Sequence, residues 1–222
     1  MSIRQMIKEN IAKTPPSGIR KYFDLINDMK DAISLGIGEP DFETPWSIRE
    51  EGIYSLEKGR TFYTSNAGLL ELREEISRYM KNNFNLDYEA KSEILVTVGG
   101  SEAIDLSIRT FAGSGDEVII PEPSFVAYKG CTMFAGATPV TIELKAENNF
   151  KLQPQELLDA ITDRTKAILI GYPNNPTGAT MDYEDYKALV EVLKDKDIVV
   201  ISDELYAELT YKGKHVSMAN FP

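Results

Sequence analysis

The sequence predicts an α/β fold in which helices flank a mainly parallel β-sheet. From Glu93 onward, short apolar runs of strand length alternate with stretches whose apolar residues recur at helical spacing. Apolar runs separated by helices in this way indicate buried strands of a mainly parallel sheet. With 222 residues, of which 42% are hydrophobic, the chain can bury one substantial core around that sheet.

The residues before Glu93 predict helices and one strand-like segment. Apolar residues at helical spacing indicate a helix over residues 2–12 and another over residues 19–29, with a break at Thr14-Pro15-Pro16-Ser17-Gly18 between them. Residues 33–42 are strand-like and run into a turn, and further helices are predicted from about Trp46 to Leu56 and over residues 69–84. We expect residues 1–45 to form an arm and part of a small domain, and residues 46–222 to form part of a large domain.

The remainder of the chain predicts five strands with helices between them. The strands are Ile94–Val98, Val118–Ile120, Val140–Leu144, Ala167–Gly171 and Ile198–Ser202. The helices are Ser101–Phe111, Pro154–Ile161, Tyr183–Leu193 and, on a weaker pattern, Phe125–Phe134. In open α/β sheets ligands bind at the carboxyl ends of the strands, so functional residues are expected there.

Charge and composition exclude several classes of function. The chain has 35 acidic and 24 basic residues and a formal net charge of -11, which argues against binding to nucleic acid or to a membrane surface. Cys131 is the single cysteine, so no intrachain disulfide can form. His215 is the single histidine, which argues against a metal site; it lies in a polar turn and is expected to face solvent. No run of about 18 apolar residues occurs, and we expect a cytoplasmic protein.

Three segments carry residue types that suit a binding site. Gly99-Gly100-Ser101-Glu102 joins a predicted strand to a helix, where free amides and a hydroxyl can bind phosphate, although helix capping by Ser101 explains the same residues. Tyr172-Pro173-Asn174-Asn175-Pro176-Thr177-Gly178 is either an ordinary turn or a fixed loop that presents Asn175. Asp203 follows the last predicted strand, with Tyr206 three residues later, and is either a turn cap or a ligand contact.

Taken together, these segments resemble the cofactor-binding half of the fold type I, class I/II aminotransferases, which depend on pyridoxal 5′-phosphate (PLP). The resemblance extends from about Leu35 to Tyr206, with the motifs in the order of the family. It implies that residues 46–222 form an incomplete PLP-binding large domain. The segment Gly38-Glu39-Pro40-Asp41-Phe42 is most similar to the subgroup of thermophile-type aspartate and aromatic amino-acid aminotransferases.

The resemblance also implies a role for each motif residue. Asp203 would keep the pyridine nitrogen of PLP protonated, Tyr206 would bind the phenolic oxygen of the ring, and Phe125 would stack on the ring. Asn175, followed by a cis bond to Pro176, would donate to the same oxygen and contact the substrate. The phosphate would be bound by Gly100, Ser101 and Glu102, and by Tyr63 from the other subunit of a homodimer. The backbone of Gly38 would contact the substrate carboxylate.

One part of the family pattern is missing. No Ser-x-x-Lys segment follows Tyr206, so the Schiff-base lysine and the late arginine that holds the substrate carboxylate are expected to be absent. No catalytic residue is therefore assigned, and we expect a truncated portion that is inactive alone. The whole enzyme would transfer an amino group from an amino acid to a 2-oxo acid. Two alternatives remain: a PLP-dependent carbon–sulfur β-lyase, and a non-catalytic module for binding or regulation on the same fold.

Overall fold

A computed structural model describes residues 3–15 and 42–221. The chain divides into two compact units, one formed by Met1–Thr14 with Ala67–Pro222 and the other by Pro15–Asn66. The helix predicted over residues 19–29, the strand-like segment before Phe42 and Gly38 all lie outside the described residues. The predicted domain boundary after residue 45 stays a prediction.

The described chain begins with helices, and from Gly100 onward helices and strands alternate. The helices are α1 (Glu9–Lys13), α2 (Trp46–Glu57), α3 (Leu70–Phe84), α4 (Gly100–Phe111), α5 (Ala127–Ala135), α6 (Pro154–Ala160) and α7 (Tyr183–Leu193). The strands are β1 (Glu117–Glu122), β2 (Thr138–Glu143), β3 (Thr165–Gly171) and β4 (Val199–Asp203). Short 3-10 turns lie at Ile3–Met6, Ala146–Asn148, Ala207–Leu209 and Met218–Asn220. No helix of the described ranges is both long enough and apolar enough to cross a membrane.

The four strands form one parallel sheet in the order β2-β1-β3-β4. This confirms the predicted α/β class and four of the five predicted strands. Every neighbouring pair is parallel, so all four carboxyl ends lie at the same edge of the sheet. At that edge Gly171, the last residue of β3, is paired with Asp203, the last residue of β4.

Helices cover both faces of this sheet, and its two central strands, β1 and β3, are therefore buried on both sides over most of their length. Alternate residues of each strand point to opposite faces. On one face Ile168 and Ile170 of β3 pack with α6 and α7 through Leu157 and Leu189. On the other face the neighbouring positions of β3 pack with α4 and α5; the residues concerned include Ala167, Leu169, Ile104, Ile108, Tyr128 and Cys131.

The prediction of a strand over Ile94–Val98 is wrong. These residues have no strand structure. Among the described residues, their backbone hydrogen bond to another segment is the one that the Val96 amide donates to the Ala67 carbonyl at 3.0 Å. A strand needs a neighbouring strand to satisfy its amides and carbonyls, and none lies beside this segment in the part of the chain that is described. Leu95 and Val98 are exposed as a consequence.

Candidate functional site

A pocket of about 150 Å³ lies where the carboxyl ends of β3 and β4 meet the amino-terminal end of α4. Its lining combines small residues, aromatic rings, one carboxylate and one side-chain amide. The residues are Gly100, Ser101, Ile104, Phe125, Tyr128, Gly171, Pro173, Asn175, Asp203, Leu205 and Tyr206. The fold therefore brings Gly100, Ser101, Phe125, Asn175, Asp203 and Tyr206 together from four separate segments of the sequence.

The amino-terminal end of α4 forms one wall of the pocket with unpaired polar groups. Gly99 precedes the helix with φ 84°, a left-handed conformation that favours glycine, and makes no side-chain cap. Ser101 is exposed and lies inside the first turn rather than at the cap position, so the predicted capping role for Ser101 is wrong. Among the described residues no hydrogen bond occupies the amides of Gly100 and Ser101 or the Ser101 hydroxyl. Free amides at a helix amino terminus, with the positive end of the helix dipole, suit an anion.

Asp203 is held in one orientation at the floor of the pocket. Its Oδ2 accepts a hydrogen bond of 2.7 Å from the Tyr128 hydroxyl, and its Oδ1 accepts one of 3.1 Å from the Leu205 amide. Tyr128 is 3% exposed, and burial, together with the adjacent Asp203 carboxylate, raises the pKa of its hydroxyl far above the usual value. Tyr128 therefore stays a protonated donor. Because each carboxylate oxygen has two lone pairs, Asp203 can still accept from a ligand.

Gly171 gives Tyr128 the space to reach Asp203. A Cβ atom added at Gly171 would lie 2.5 Å from the Tyr128 hydroxyl oxygen and 3.7 Å from the Cβ of Asp203. Real Cβ atoms essentially never approach another atom within 3.0 Å. The Tyr128–Asp203 hydrogen bond therefore depends on glycine at this position.

The loop after β3 presents Asn175 to the pocket and is fixed by its neighbour, Asn174. The Asn174 side chain is buried; its amide nitrogen donates to the Pro123 and Gly171 carbonyls, each at 3.3 Å, and its Oδ1 accepts from the Thr177 hydroxyl at 2.8 Å. Asn175 is exposed, and no side-chain hydrogen bond binds it to any described residue. The Asn175–Pro176 peptide bond is cis, as the resemblance implies.

The remaining lining residues offer a flat apolar surface and a free hydroxyl. Phe125 is half-buried and meets Tyr128 edge to face, with ring centroids 5.8 Å apart. Tyr206 is half-buried, and its hydroxyl has no hydrogen-bond partner within the described ranges. The pocket thus combines an anion site, an aromatic ring, a carboxylate, an amide and a hydroxyl, a set that fits a flat, polar, phosphorylated ring.

Three of the predicted site residues are not placed in this pocket. The Glu102 carboxylate accepts a hydrogen bond from the Val98 amide, and its side chain is not part of the lining. Tyr63 belongs to the Pro15–Asn66 unit, where its side chain is fully exposed. Gly38 lies outside the described residues. Tyr128 and Gly171 also belong to the pocket and were not predicted from the sequence, because the contact that makes Tyr128 functional, its hydrogen bond to Asp203, joins distant segments.

The expectation that His215 faces solvent is also wrong. Its side chain is 6% exposed, its Nε2 lies 2.9 Å from Oε2 of Glu204, and its ring meets Phe84 edge to face at 5.7 Å. Glu204 lines a second and larger cavity of 590 Å³, together with residues that include Val200, Ser202 and Phe221. That cavity also has a carboxylate and aromatic rings, but hydrogen bonds within the protein already occupy its Glu204 and Lys194 side chains. Among the described residues no amino terminus of an α-helix lines it, so the chemistry favours the smaller pocket.

Comparisons with known proteins agree on one family. Residues 30–220 match the family described as aminotransferase class I and II. The chain is 49% identical to a putative aminotransferase, YugH, of Bacillus subtilis over 97% of its own length, and 43% identical to an aspartate aminotransferase of Pyrococcus horikoshii over 98%. A structure of Thermus thermophilus aspartate aminotransferase with maleate superposes with a TM-score of 0.89 at 34% identity, covering 96% of this chain and 56% of that chain. The chain spans 56% of the length of each of the two sequence relatives.

Proposed function

Because the chain belongs to the class I and II aminotransferase family, whose cofactor is PLP, we propose that it forms the cofactor-binding part of an enzyme that moves an amino group from an amino acid to a 2-oxo acid. The observation that carries the proposal is the convergence of Ser101, Asn175 and Asp203 on one pocket. Bound PLP would supply an electron sink that stabilises negative charge on the substrate's α-carbon.

Each group of the pocket has a part in holding that cofactor. Asp203, a carboxylate already oriented by Tyr128, would accept a hydrogen bond from the pyridine nitrogen and keep it protonated. Asn175 and Tyr206, whose polar ends are unpaired in the described chain, would donate to the phenolic oxygen. Phe125 would stack on the ring. Asn175 and the backbone of Gly38 would also contact the substrate.

The phosphate would lie at the amino-terminal end of α4. The free amides of Gly100 and Ser101 and the Ser101 hydroxyl support this, since they are donors at the positive end of the helix dipole and their residues line the pocket. Glu102 would contribute through its backbone amide, because its carboxylate already accepts from Val98. Tyr63 would donate to the phosphate of the other subunit in a homodimer.

Residues 46–222 would form the PLP-binding large domain in part, with the arm and part of the small domain in residues 1–45. We also propose a role in amino-acid biosynthesis and a cytoplasmic location.

Binding of pyridoxamine 5′-phosphate tests the proposal. This probe keeps the ring and phosphate of PLP but lacks the aldehyde, so it cannot react with surface lysines. Equilibrium dialysis should give saturable binding at one site per chain. Replacement Asp203→Ala should weaken it about 100-fold, since a hydrogen bond to a charged group and the charge itself are lost. Equal binding by the wild type and the variant would refute the assignment.

The matched control separates the phosphate site from the rest of the pocket. Ser101→Ala should weaken binding of pyridoxamine 5′-phosphate about 5-fold and leave binding of pyridoxamine, which has no phosphate, unchanged. In the whole enzyme that this proposal implies, Asp203→Ala should abolish amino transfer to a 2-oxo acid without loss of fold. Release of pyruvate and ammonia from cysteine-like substrates, with no need for a 2-oxo acid, would select a β-lyase instead.

A further inference from the structure

Glu204 is a charged residue directly after Asp203, and its side chain points away from the PLP pocket. Asp203 follows Val199 and Ile201 on the face of the sheet that packs with α4 and α5, whereas Glu204 continues the Val200 and Ser202 face. The two neighbouring carboxylates therefore lie on opposite faces of the sheet. Only Asp203 is part of the pocket lining.

Four donors converge on the Glu204 carboxylate. Its Oε1 accepts from the Ser202 hydroxyl at 2.8 Å, the Ser217 hydroxyl at 2.9 Å and the Met218 amide at 3.2 Å. His215 Nε2 donates to Oε2 at 2.9 Å, since a carboxylate can only accept. Burial alone would raise the pKa of Glu204, but the hydrogen bonds from His215, Ser202 and Ser217 outweigh it and hold that pKa below the usual value. The charged form is therefore the one this cluster stabilises.

The cluster ties the turn after Asp203, which carries the pocket residues Leu205 and Tyr206, to a separate segment of the chain. The Ala207 amide donates to the Glu204 carbonyl at 2.9 Å, which closes a turn around Tyr206, and the Asp203 carbonyl accepts from the Tyr172 amide at 3.2 Å. His215, Ser217 and Met218 hold the Glu204 side chain from outside this turn. Because Glu204 lies between Asp203 and Tyr206, anchoring it limits the movement of both.

We propose that Glu204 is a positioning residue for the cofactor site: its hydrogen bonds to His215, Ser217 and Met218 fix the turn so that Asp203 and Tyr206 face the pocket together. The inference rests on the proposed function. It predicts that removing the Glu204 carboxylate weakens cofactor binding although no atom of Glu204 contacts the cofactor.

Glu117 provides a matched control. It is a buried glutamate at the opposite end of the sheet, the first residue of β1, where it accepts hydrogen bonds from the Thr162 hydroxyl and from Arg164 Nε at 3.0 Å. Glu117→Ala thus removes a hydrogen-bonded, buried carboxylate of similar kind far along the strands from the pocket. It should lower the free energy of unfolding without changing the affinity of the folded protein.

The test measures binding of pyridoxamine 5′-phosphate to the folded protein, with circular dichroism to establish the folded fraction. Glu204→Ala should weaken binding about 10-fold, and Glu117→Ala less than about 2-fold. Glu204→Gln keeps an oxygen that can accept from Ser217 and Met218, so it should restore affinity to within about 3-fold of the wild type. Ser217→Ala, which removes one donor only, should weaken binding about 2-fold and remains informative if Glu204→Ala does not fold.

The outcomes separate this inference from the proposed function. If folded Glu204→Ala binds with wild-type affinity, the positioning role is overturned and the PLP site stays intact. If Glu204→Ala does not fold, wild-type affinity in Ser217→Ala overturns the positioning role in the same way. Equal weakening by Glu117→Ala and Glu204→Ala would also overturn it, because a general loss of stability would then explain both. Absence of binding by the wild-type protein would refute the proposed function, and the positioning role with it.

Discussion

Introducing a methyl group at Gly171 should break the Tyr128–Asp203 hydrogen bond that orients the pocket carboxylate. In Gly171→Ala the new Cβ would lie 2.5 Å from the Tyr128 hydroxyl oxygen, whereas ordinary contacts begin at 3.4 Å, so the hydroxyl must retreat. Tyr128 is 3% exposed and cannot move freely. Overpacking of this kind costs about 1–3 kcal/mol, and losing a hydrogen bond to a charged group adds about 1.5 kcal/mol. We expect the free energy of unfolding to fall by about 3 kcal/mol.

A double-mutant cycle isolates the contact. Tyr128→Phe alone removes the hydroxyl and should cost about 1.5–2 kcal/mol. With the hydroxyl gone, the nearest ring atom to the added methyl is Cζ at 3.5 Å, an ordinary contact. The double variant should therefore be about as stable as Tyr128→Phe, which gives a coupling energy of about 3 kcal/mol, at the upper end for residues in contact.

Urea unfolding at neutral pH measures the free energy of unfolding of the wild type, the two single variants and the double variant. Equal m-values check that the unfolding transition is unchanged. Gly130→Ala is the matched control, because a Cβ at Gly130 in α5 would meet nothing within 4 Å. It should be neutral or stabilising by up to about 1 kcal/mol, as alanine favours helix. Costs of Gly171→Ala and Tyr128→Phe that add to within about 0.5 kcal/mol would refute the close approach of these residues.

Two further predictions concern the loop and the acid range. Asn174→Ala should lower the free energy of unfolding by about 2–3 kcal/mol, since it removes buried hydrogen bonds. Asn175→Ala should change the free energy of unfolding by less than about 0.5 kcal/mol but weaken binding of pyridoxamine 5′-phosphate about 10-fold. The reverse pattern would contradict the roles given to these two residues. The pKa of Glu204 is lowered in the folded state, so its contribution to stability is present above about pH 4.5 and is lost as the pH falls through the lowered value. Glu204→Gln should therefore flatten the fall in unfolding free energy below about pH 4.5, and an unchanged slope would contradict this.

Local patterns in the sequence predict most of the helices and strands, because these elements carry their own signals. The helix predicted at Tyr183–Leu193 has the bounds of α7: Asp182 caps it by accepting from the Glu184 and Asp185 amides, and its apolar positions face β3. The Ile94–Val98 segment has strand composition but no adjacent strand among the described residues, and composition cannot supply one.

The candidate site is predicted where residues act through short motifs and missed where contacts are long-range. Asn175 and Asp203 were identified from their loops, and the fold places both in the pocket. Tyr128 lies 75 positions from Asp203 along the chain, and no local pattern indicates that its hydroxyl reaches that carboxylate. From the sequence, His215 is predicted to be a solvent-exposed residue of a polar turn. Its partner, Glu204, lies 11 positions away and is identified only by the fold.

A crystal structure of the protein with pyridoxamine 5′-phosphate tests the central claim most directly. We expect the ring against Phe125, its nitrogen at hydrogen-bond distance from Asp203, and the phosphate at the amides of Gly100 and Ser101. A ligand bound instead in the larger cavity beside Val200 and Phe221, or no ordered ligand at a saturating concentration, would contradict the assignment of this pocket.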